Sequence, residues 1–432
     1  MRLRFALTSA PRVDAKFRRH PDTTVSFAPM DALEDGLGGL KPMEVKNFTD
    51  LSRGSYNYFE NGDVLLAKVT PCFENGKKAI AANLENGAGF ATSEVLVFRA
   101  QADALDTRFL RYLFCSEDFR HKAIASMTGS GGLRRVSERA VLDFPLRVTH
   151  LATQRQIADF LDRETTRIDL LIEKKQRLVT LLKQRETSLI TEVTKHGLKG
   201  ETQLDTGIDW WSRAPASWEV HRVASLFGES KEMGEDGLPV LSVSINWGIS
   251  DRELADEDRD RIVNLIEDRT SYKRVRPGDL VYNMMRAWQG AFGVAKVDGL
   301  VSPAYVVARP RKGLHSAYFE HLLRSPSCVE EFRRSSKGIA DFRQRLYWEH
   351  FRQVRLVLPA YQEQVEIARH IDLEKERTEP TILKTNTSID RLREYRSSLI
   401  TAAVTGQIDV ASHSKSGTTE SKLDALQEEM DA

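Results

Sequence analysis

The chain has 432 residues, 41% hydrophobic and 29% charged, with a net charge of +1. That length asks for two or three domains of ordinary size, and the composition is that of a globular protein and not of a bulk polycation, so any affinity for nucleic acid must come from basic residues gathered on one surface. No stretch approaches the roughly 18 consecutive apolar residues of a membrane span, and Met1-Arg-Leu-Arg-Phe5 lacks the apolar run of a secretory signal, so no membrane association and a cytoplasmic location are expected.

Up to about residue 150 the chain shows short β-type runs punctuated by Gly, Pro and Asn, among them Asp63-Val-Leu-Leu-Ala67 and Glu94-Val-Leu-Val-Phe98, then a short helical stretch near Thr107 to Cys115. The glycine-rich Asp35-Gly-Leu-Gly-Gly-Leu40 has the wrong spacing for a dinucleotide fingerprint and follows no strand, so a loop is expected. Cys72, Cys115 and Cys328 are far apart and match no metal-ligand spacing, which points to reduced, structural thiols.

A long helix comes next. From Ile157 the 3-4 spacing runs through Leu161, Glu164, Ile168, Leu171, Lys175, Leu178, Leu182, Arg185 and Leu189 to Val193, and eight of these eleven positions are apolar. This is a coiled-coil seam, continuous from about Gln154 to His196 and closed by Gly197; at 1.5 Å per residue the helix is roughly 60 Å long. His196 near its end suits the helix dipole. Glu173-Lys-Lys175 after Asp169 loosely imitates a metal-dependent nuclease, but that chemistry needs carboxylates converging from a strand hairpin; on a helix the residues are a solvated face.

The rest of the chain repeats this order. Residues 89–191 recur as 299–401 at a constant shift of 210, pairing Gly89 with Gly299, Val97 with Val307, Arg99 with Arg309, Phe109 with Phe319, Leu113 with Leu323, Ile157-Ala158 with Ile367-Ala368, Asp162 with Asp372, and Ser188-Leu-Ile-Thr191 with Ser398-Leu-Ile-Thr401. Upstream, Gly62-Asp-Val-Leu65 matches Gly278-Asp-Leu-Val281 at a shift of 216, so the intervening loop differs by six residues. This is duplication with a variable loop. The second copy has β-type runs at Asp279-Leu-Val-Tyr282 and Tyr305-Val-Val-Ala308, a helical stretch at Ser316 to Leu323, and a second long helix from Gln364 to about Thr405 before Gly406. Pro380 predicts a kink or break near Glu379, and Thr385-Asn-Thr-Ser388 puts polar residues where the first copy has its seam. Apolar positions expected at the partner-helix interface are Ile157, Leu161, Ile168, Leu171, Leu178, Leu182, Leu189, Ile367, Ile371, Ile382, Ile389, Leu392 and Leu399. If the helices pack antiparallel, the halves are pseudo-symmetric, with the globular domains at opposite ends of a helical ruler. The Ser-, Thr- and Glu-rich stretch from Ala411 onward is expected to be a disordered or frayed tail.

Catalytic signatures fail. There is no phosphate-binding Gly-x-x-x-x-Gly-Lys-Ser/Thr, no Asn-Pro-Pro-Tyr tetrapeptide, and no His-x-x-x-His pair. No cofactor, metal site or enzymatic activity is expected. What the residues do offer is a DNA-reading inventory, in which Arg, Lys, Asn and Gln reach base edges or phosphates. In the first half it lies after the Gly-Asp strand (Lys68, Thr70, Asn75, Lys77, Lys78) and after Gly129-Ser-Gly-Gly-Leu133 (Arg134, Arg135). In the second half the matching candidates are Asn283, Arg286, Trp288 and Gln289, then Lys337, Arg343 and Arg345. The plainer reading of each is an ordinary polar surface residue, and Trp288 suits a core equally well.

The whole order, over about residues 1 to 410, resembles the specificity subunit of Type I restriction-modification systems. The resemblance is carried by Gln154-Arg-Gln-Ile-Ala-Asp-Phe-Leu-Asp162 with Arg167-Ile-Asp169 and Arg185-Glu-Thr-Ser-Leu-Ile190, and by Tyr361-Gln-Glu-Gln-Val-Glu-Ile-Ala368 with Tyr395-Arg-Ser-Ser-Leu-Ile-Thr-Ala-Ala-Val-Thr-Gly-Gln-Ile-Asp409. Asp209-Trp-Trp-Ser-Arg-Ala-Pro-Ala-Ser-Trp218 looks like the family's lead-in to a target-recognition domain, and it is missing from the first half, where Met1-Arg-Leu-Arg4 starts at the position of Val220-His-Arg222. The resemblance implies an α+β protein with two pseudo-symmetric globular target-recognition domains (1–150 and 211–360) joined by two long antiparallel coiled-coil helices (spacers at 151–210 and 361–410). It implies that each domain reads half of a bipartite double-stranded DNA target and that two methyltransferase (modification) subunits dock on the helices. Restriction/translocase subunits would join that complex, and S-adenosylmethionine would bind the modification subunit. A duplicated coiled-coil adaptor that binds protein instead of DNA also explains the duplication and near-neutral charge, but not the paired signatures; a nuclease is a distant third.

Overall fold

The computed structural model describes residues 1–36, 39–41, 43–146, 149–254, 269–311, 313–338 and 344–415. The chain divides into two compact units, Met1–Arg177 with the chain from Lys384 onward, and Leu178–Leu383. Each is mixed α and β, and the repeat in sequence is a repeat in topology.

In the first unit a four-stranded sheet has the spatial order Leu7–Ser9, Val95–Ala100, Val64–Ala67, Lys78–Ile80, all antiparallel. In the second the order is Phe227–Ser230, Tyr305–Pro310, Leu280–Asn283, Phe292–Val294. The registers agree as well: Val64 faces Phe98, and Leu280 faces Ala308, the same pair shifted by 216 and 210. Apolar, β-branched runs fill these strands and all four residues of Val64–Ala67 and Leu280–Asn283 are buried, as central strands covered on both faces require. A second sheet in the first unit orders Glu44–Asn47, Thr24–Ala28, Ala88–Thr92, Tyr56–Glu60. Its counterpart pairs Lys273–Val275 with Gly299–Val301 and adds a parallel bridge between Val240 and Leu300.

One turn is built identically in both units. Glu60-Asn-Gly-Asp63 and Arg276-Pro-Gly-Asp279 each close with an i to i+3 backbone hydrogen bond, of 3.1 and 2.9 Å, and put glycine at φ +92° in the third position, which a type II turn reserves for it. The following aspartate accepts the backbone N–H of Glu60 or Arg276 and a two-pronged contact from Arg99 or Arg309, Nε and Nη2 at 2.7 and 2.8 Å in the first unit and 3.0 and 2.9 Å in the second. Asp63 and Asp279 are buried, and a buried carboxylate is tolerated when each oxygen is paired in this way.

The short helices Thr107–Leu113 and Ser316–Arg324 lead to the long ones, Leu151–His196 and Tyr361–Thr405. The Gln-x-x-Ile-Ala signature has a structural cause. Gln154 accepts from Asp106 N at 2.9 Å and donates to Ala104 O and Thr149 O; Gln364 accepts from His315 N at 3.1 Å and donates to Pro359 O. Each glutamine staples the first turn of its long helix to the start of the short one, and Ile157-Ala158 and Ile367-Ala368 are buried beside it.

The long helices run antiparallel. In the first unit Ile157, Leu161, Ile168 and Leu171, early on the first helix, share a core with Ile389, Leu392 and Leu399, late on the second, and Arg396 bonds Asp169. In the second unit Leu189 and Val193 share a core with Ile367 and Ile371, and Lys375 lies 3.8 Å from Glu186. Leu182 and Ile382 are half-buried, and Leu178 is exposed, so the apolar seam is not a packed interface along its whole length. Positive-φ glycines end both helices, Gly197 at +74° and Gly406 at +70°.

One expectation is corrected. Pro380 does not break the second helix, which is continuous from Tyr361 to Thr405. The carbonyl that loses its donor is that of Glu376; Glu376 and Pro380 both lie on the exposed face of the helix, where water can serve that oxygen, and the Thr378 hydroxyl donates back to Glu374 O at 3.0 Å in the preceding turn. The tail begins with a helix, Val410–Lys415, with His413 edge-on to Phe160 at 5.7 Å; residues 416–432 lie outside the described residues. The cysteines are free, Cys115 and Cys328 buried and Cys72 half-buried. No helix of the described residues is long and apolar enough to cross a membrane.

The Trp-rich segment packs at the foot of the second unit. Trp211 and Trp218 are buried in its core, the Trp218 indole N–H donates to Glu363 at 3.3 Å, and Lys195 lies over the Trp210 and Trp211 rings. Beyond it, Glu219–Arg222 pairs with Arg355–Leu358 over four residues; the first unit, among the described residues, has at this place the bridge Arg2 to Pro145, flanked by Leu146 N to Met1 O at 2.7 Å and Leu3 N to Phe144 O at 3.0 Å.

Candidate nucleic-acid interface

The two candidate segments of each half, separated by about 60 residues of sequence, form one surface. In the first unit Val136 N donates to Lys68 O at 2.8 Å; in the second Leu346 N donates to Met284 O at 2.9 Å, the same bond shifted by 210 and 216. The loop that leaves the central strand is thus stitched to the segment that follows the second short helix.

In the first unit that segment is a hairpin, Thr128–Ser130 with Leu133–Arg135. Its two-residue turn, Gly131-Gly132, has φ of +64° and +79°, the type I′ geometry that demands φ > 0 twice, and both glycines face open space. Thr70 N donates to Arg134 O at 2.9 Å, and the Thr70 hydroxyl meets both Gly132 O and Arg134 N. In the second unit Lys337 and Arg345 exchange backbone hydrogen bonds of 3.0 and 2.9 Å at the base of the matching segment.

The candidate side chains sort by where their polar atoms go. Thr70, buried, is committed to the hairpin backbone. Lys78 is also buried, with its ammonium donating to Gly36 O and Gly76 O at 2.8 and 2.9 Å, and Lys77 donates to Leu33 O at 2.9 Å. Asn283 is buried and accepts from Met285 N at 3.0 Å. These four hold the loops in shape and have their polar groups turned inward, whereas the sequence offered them as DNA contacts. Lys68 is half-buried at the loop edge, and Asn75 and Arg134 are exposed, Arg134 at 3.0 Å from Glu74. Arg135 grips Glu94 through Nε and Nη2, both at 3.0 Å, and these hydrogen bonds, with the Lys68 ammonium nearby, hold the Glu94 carboxyl below the usual range. In the second unit Arg286 Nε donates to Gln289 at 3.3 Å, while Gln289, Lys337 and Arg345 are exposed. Trp288 is not core: its indole N–H donates to Met285 O at 2.9 Å, and Arg333 lies over its ring at 5.5 Å. Arg343 lies outside the described residues.

Exposed Leu133, Met285 and Tyr347 also stand on these surfaces. Their residue types gave no signal, because in sequence they look like core. Among the described residues no group of three or more His, Cys, Asp or Glu is placed to hold a metal. Glu173 and Lys174 are exposed on the long helix, and Asp169 is engaged by Arg396.

No family model matches the chain. It is 32% identical over 199 residues to the Type I restriction enzyme EcoAI specificity subunit of Escherichia coli, a match covering 46% of this chain and 31% of that protein. It is 25% identical over 247 residues to the EcoEI specificity subunit of the same organism, covering 56% and 39%. The chain thus spans between about a third and two fifths of the length of these relatives. Among solved structures it is similar to a chain from work on complex assembly and conformational transition of the type I R-M system, at a TM-score of 0.69 and 15% identity over 94% of this chain and 96% of that one. The HsdS subunit from Thermoanaerobacter tengcongensis gives a TM-score of 0.51 and 16% identity over the same shares. The curated relatives are Type I restriction enzyme specificity subunits and the solved neighbours share the fold of two domains joined by long helices, as the sequence resemblance implies.

Proposed function

We propose that this chain is the non-catalytic specificity subunit of a Type I restriction-modification complex. Residues 1–150 and 211–360 are target-recognition domains, each reading one half of a bipartite double-stranded DNA site. The long helices, in the spacers 151–210 and 361–410, set the distance between the half-sites and receive two methyltransferase subunits; restriction/translocase subunits complete the assembly. S-adenosylmethionine and ATP chemistry belong to those partners.

The observation that carries the reading is the paired loop surface built twice on one frame, with the same stitching hydrogen bond and different side chains. A shared scaffold with divergent loops is what two readers of two different sequences need. Lys68, Asn75, Arg134 and Arg135 are the contacts proposed for the first half-site, and Arg286, Trp288, Gln289, Lys337 and Arg345 for the second. Leu170, Leu178 and Leu181 on the first long helix, and Leu373 and Leu383 on the second, are exposed, which suits helices that receive a partner.

The test is selection from random duplex libraries by the chain with its modification subunit. A bipartite consensus with a fixed gap is expected. Sequence-indifferent binding, or none, overturns the proposal.

A further inference from the structure

We infer that Arg135 reads a guanine in the first half-site, with Glu94 as the positioning residue that aims it; this rests on the DNA-reading role proposed above. A guanidinium has two usable edges. Glu94 takes the Nε and Nη2 edge side-on, at 3.0 Å to each, leaving the terminal edge of Nη1 and Nη2 pointing along the side-chain axis. Two parallel donors on that edge match the O6 and N7 acceptors that guanine alone presents side by side in the major groove; adenine sets a donor amine beside N7 and meets them with repulsion.

Two further features favour a base over a phosphate. First, Arg135 and Glu94 together are close to neutral, and a carboxylate at 3.0 Å repels a phosphate that the arginine would otherwise attract. Second, both residues are locked by backbone. Arg135 bridges Val69, and Glu94 O accepts from Lys68 N at 3.0 Å, so the fork is fixed before DNA arrives and loses little freedom on binding. The Arg135 side chain is 42% exposed, enough to present its free edge. The second unit departs here: Arg345 takes the register of Arg135, but Ala304 stands where Glu94 does, so no carboxylate aims that arginine from the equivalent position. The two half-sites are therefore read by different chemistry at corresponding places.

The test compares base preferences of the assembled complex with the modification subunit, for wild type, Arg135→Ala, Arg135→Lys and Glu94→Gln, on libraries in which each position of the selected site is varied. Discrimination is expected to fall by about tenfold or more at one G·C pair of the first half-site for both Arg135 variants, since lysine lacks the fork. A smaller fall at the same pair is expected for Glu94→Gln. The second half-site is the internal control and stays unchanged, which separates a lost reading contact from a lost fold; if Arg135→Ala fails to assemble, Arg135→Lys decides by the same profile. Equal weakening on all sequences, or unchanged preference at every pair, overturns the inference while leaving the DNA-reading role intact. A wild-type complex that selects no site overturns both.

Discussion

His321 Nε2 lies 3.0 Å from Asp372 Oδ1, and the repeat sets this pair in register with Arg111 and Asp162, which meet at 2.9 Å. In the first unit Arg108 and the Tyr112 hydroxyl reach the same carboxylate, at 2.9 and 2.7 Å. The contact that fastens the short helix to the long one is thus built around a guanidinium in one half and an imidazole in the other. The His321 hydrogen bond holds the Asp372 carboxyl below its ordinary range. A depressed carboxyl stabilises the fold above the unfolded range and loses that contribution as the pH falls through its folded value. Asp372→Asn is expected to lower stability near pH 7 by less than about 1 kcal/mol, because Asp372 is half-exposed, and the gap to wild type should close towards about pH 3. Denaturant titrations at the two pH values check it; a gap that persists at the lower one refutes the assignment.

Asp63 and Asp279 bear more weight. Asp63→Ala leaves the Arg99 guanidinium with Glu60, at 3.1 Å, as its remaining carboxylate partner, opens a buried hole and removes the acceptor for Glu60 N. The expected cost is about 2 to 3 kcal/mol, and the same for Asp279→Ala, each confined to the unfolding transition of its own unit. Urea unfolding followed by tryptophan fluorescence reads the second unit, which holds all six tryptophans.

Lys68 and Lys78, ten residues apart, should behave oppositely. Lys78→Met removes an ammonium bonded to two carbonyls inside the loop and is expected to lower stability by about 1 to 3 kcal/mol, with the salt dependence of DNA binding unchanged. Lys68→Ala is expected to leave stability alone and to reduce the slope of log affinity against log salt by about one, as loss of one phosphate contact does. Fluorescence anisotropy across a salt series distinguishes them, and equal slopes for Lys68→Ala and wild type remove Lys68 from the interface.

Both long helices pass from one unit into the other. Inserting four residues into each, about one turn, is expected to widen the preferred gap between half-sites from the roughly one turn of DNA, centre to centre, expected of wild type. Selection from libraries of variable gap measures it; an unchanged gap rejects the helices as the spacer.

Burial pushes the Cys328 thiol up to about 12, so almost none of it is thiolate at neutral pH. Alkylation of the native protein at pH 7.5 should mark half-buried Cys72 first and leave Cys115 and Cys328 for denaturing conditions. Peptide mapping gives the order directly.

The frame was legible in the sequence because corresponding residues do the same work: the shifts of 216 and 210 that pair Leu65 with Val281 and Val97 with Val307 are those of the strand registers, and Gln154 and Gln364 recur because each staples a helix start. The loops were legible as an inventory but not residue by residue. Lys78 and Arg134 are equally basic in sequence, yet one ammonium is drawn inward by the carbonyls of Gly36 and Gly76 while the other side chain stays in water; only the path of residues 33–36 decides that. Pro380 misled for a related reason. The penalty of an interior proline depends on whether the orphaned carbonyl is solvated, and its exposure is set by packing that a local rule does not see.

The second unit is one uninterrupted stretch, Leu178–Leu383, set within the sequence of the first. Its two borders fall in the middle of the long helices, where Arg177, Leu178, Leu383 and Lys384 are all exposed. On the function proposed above, exchanging this one stretch for its counterpart from a relative would replace one target-recognition domain together with its two half-helices, with the seams falling at four exposed side chains.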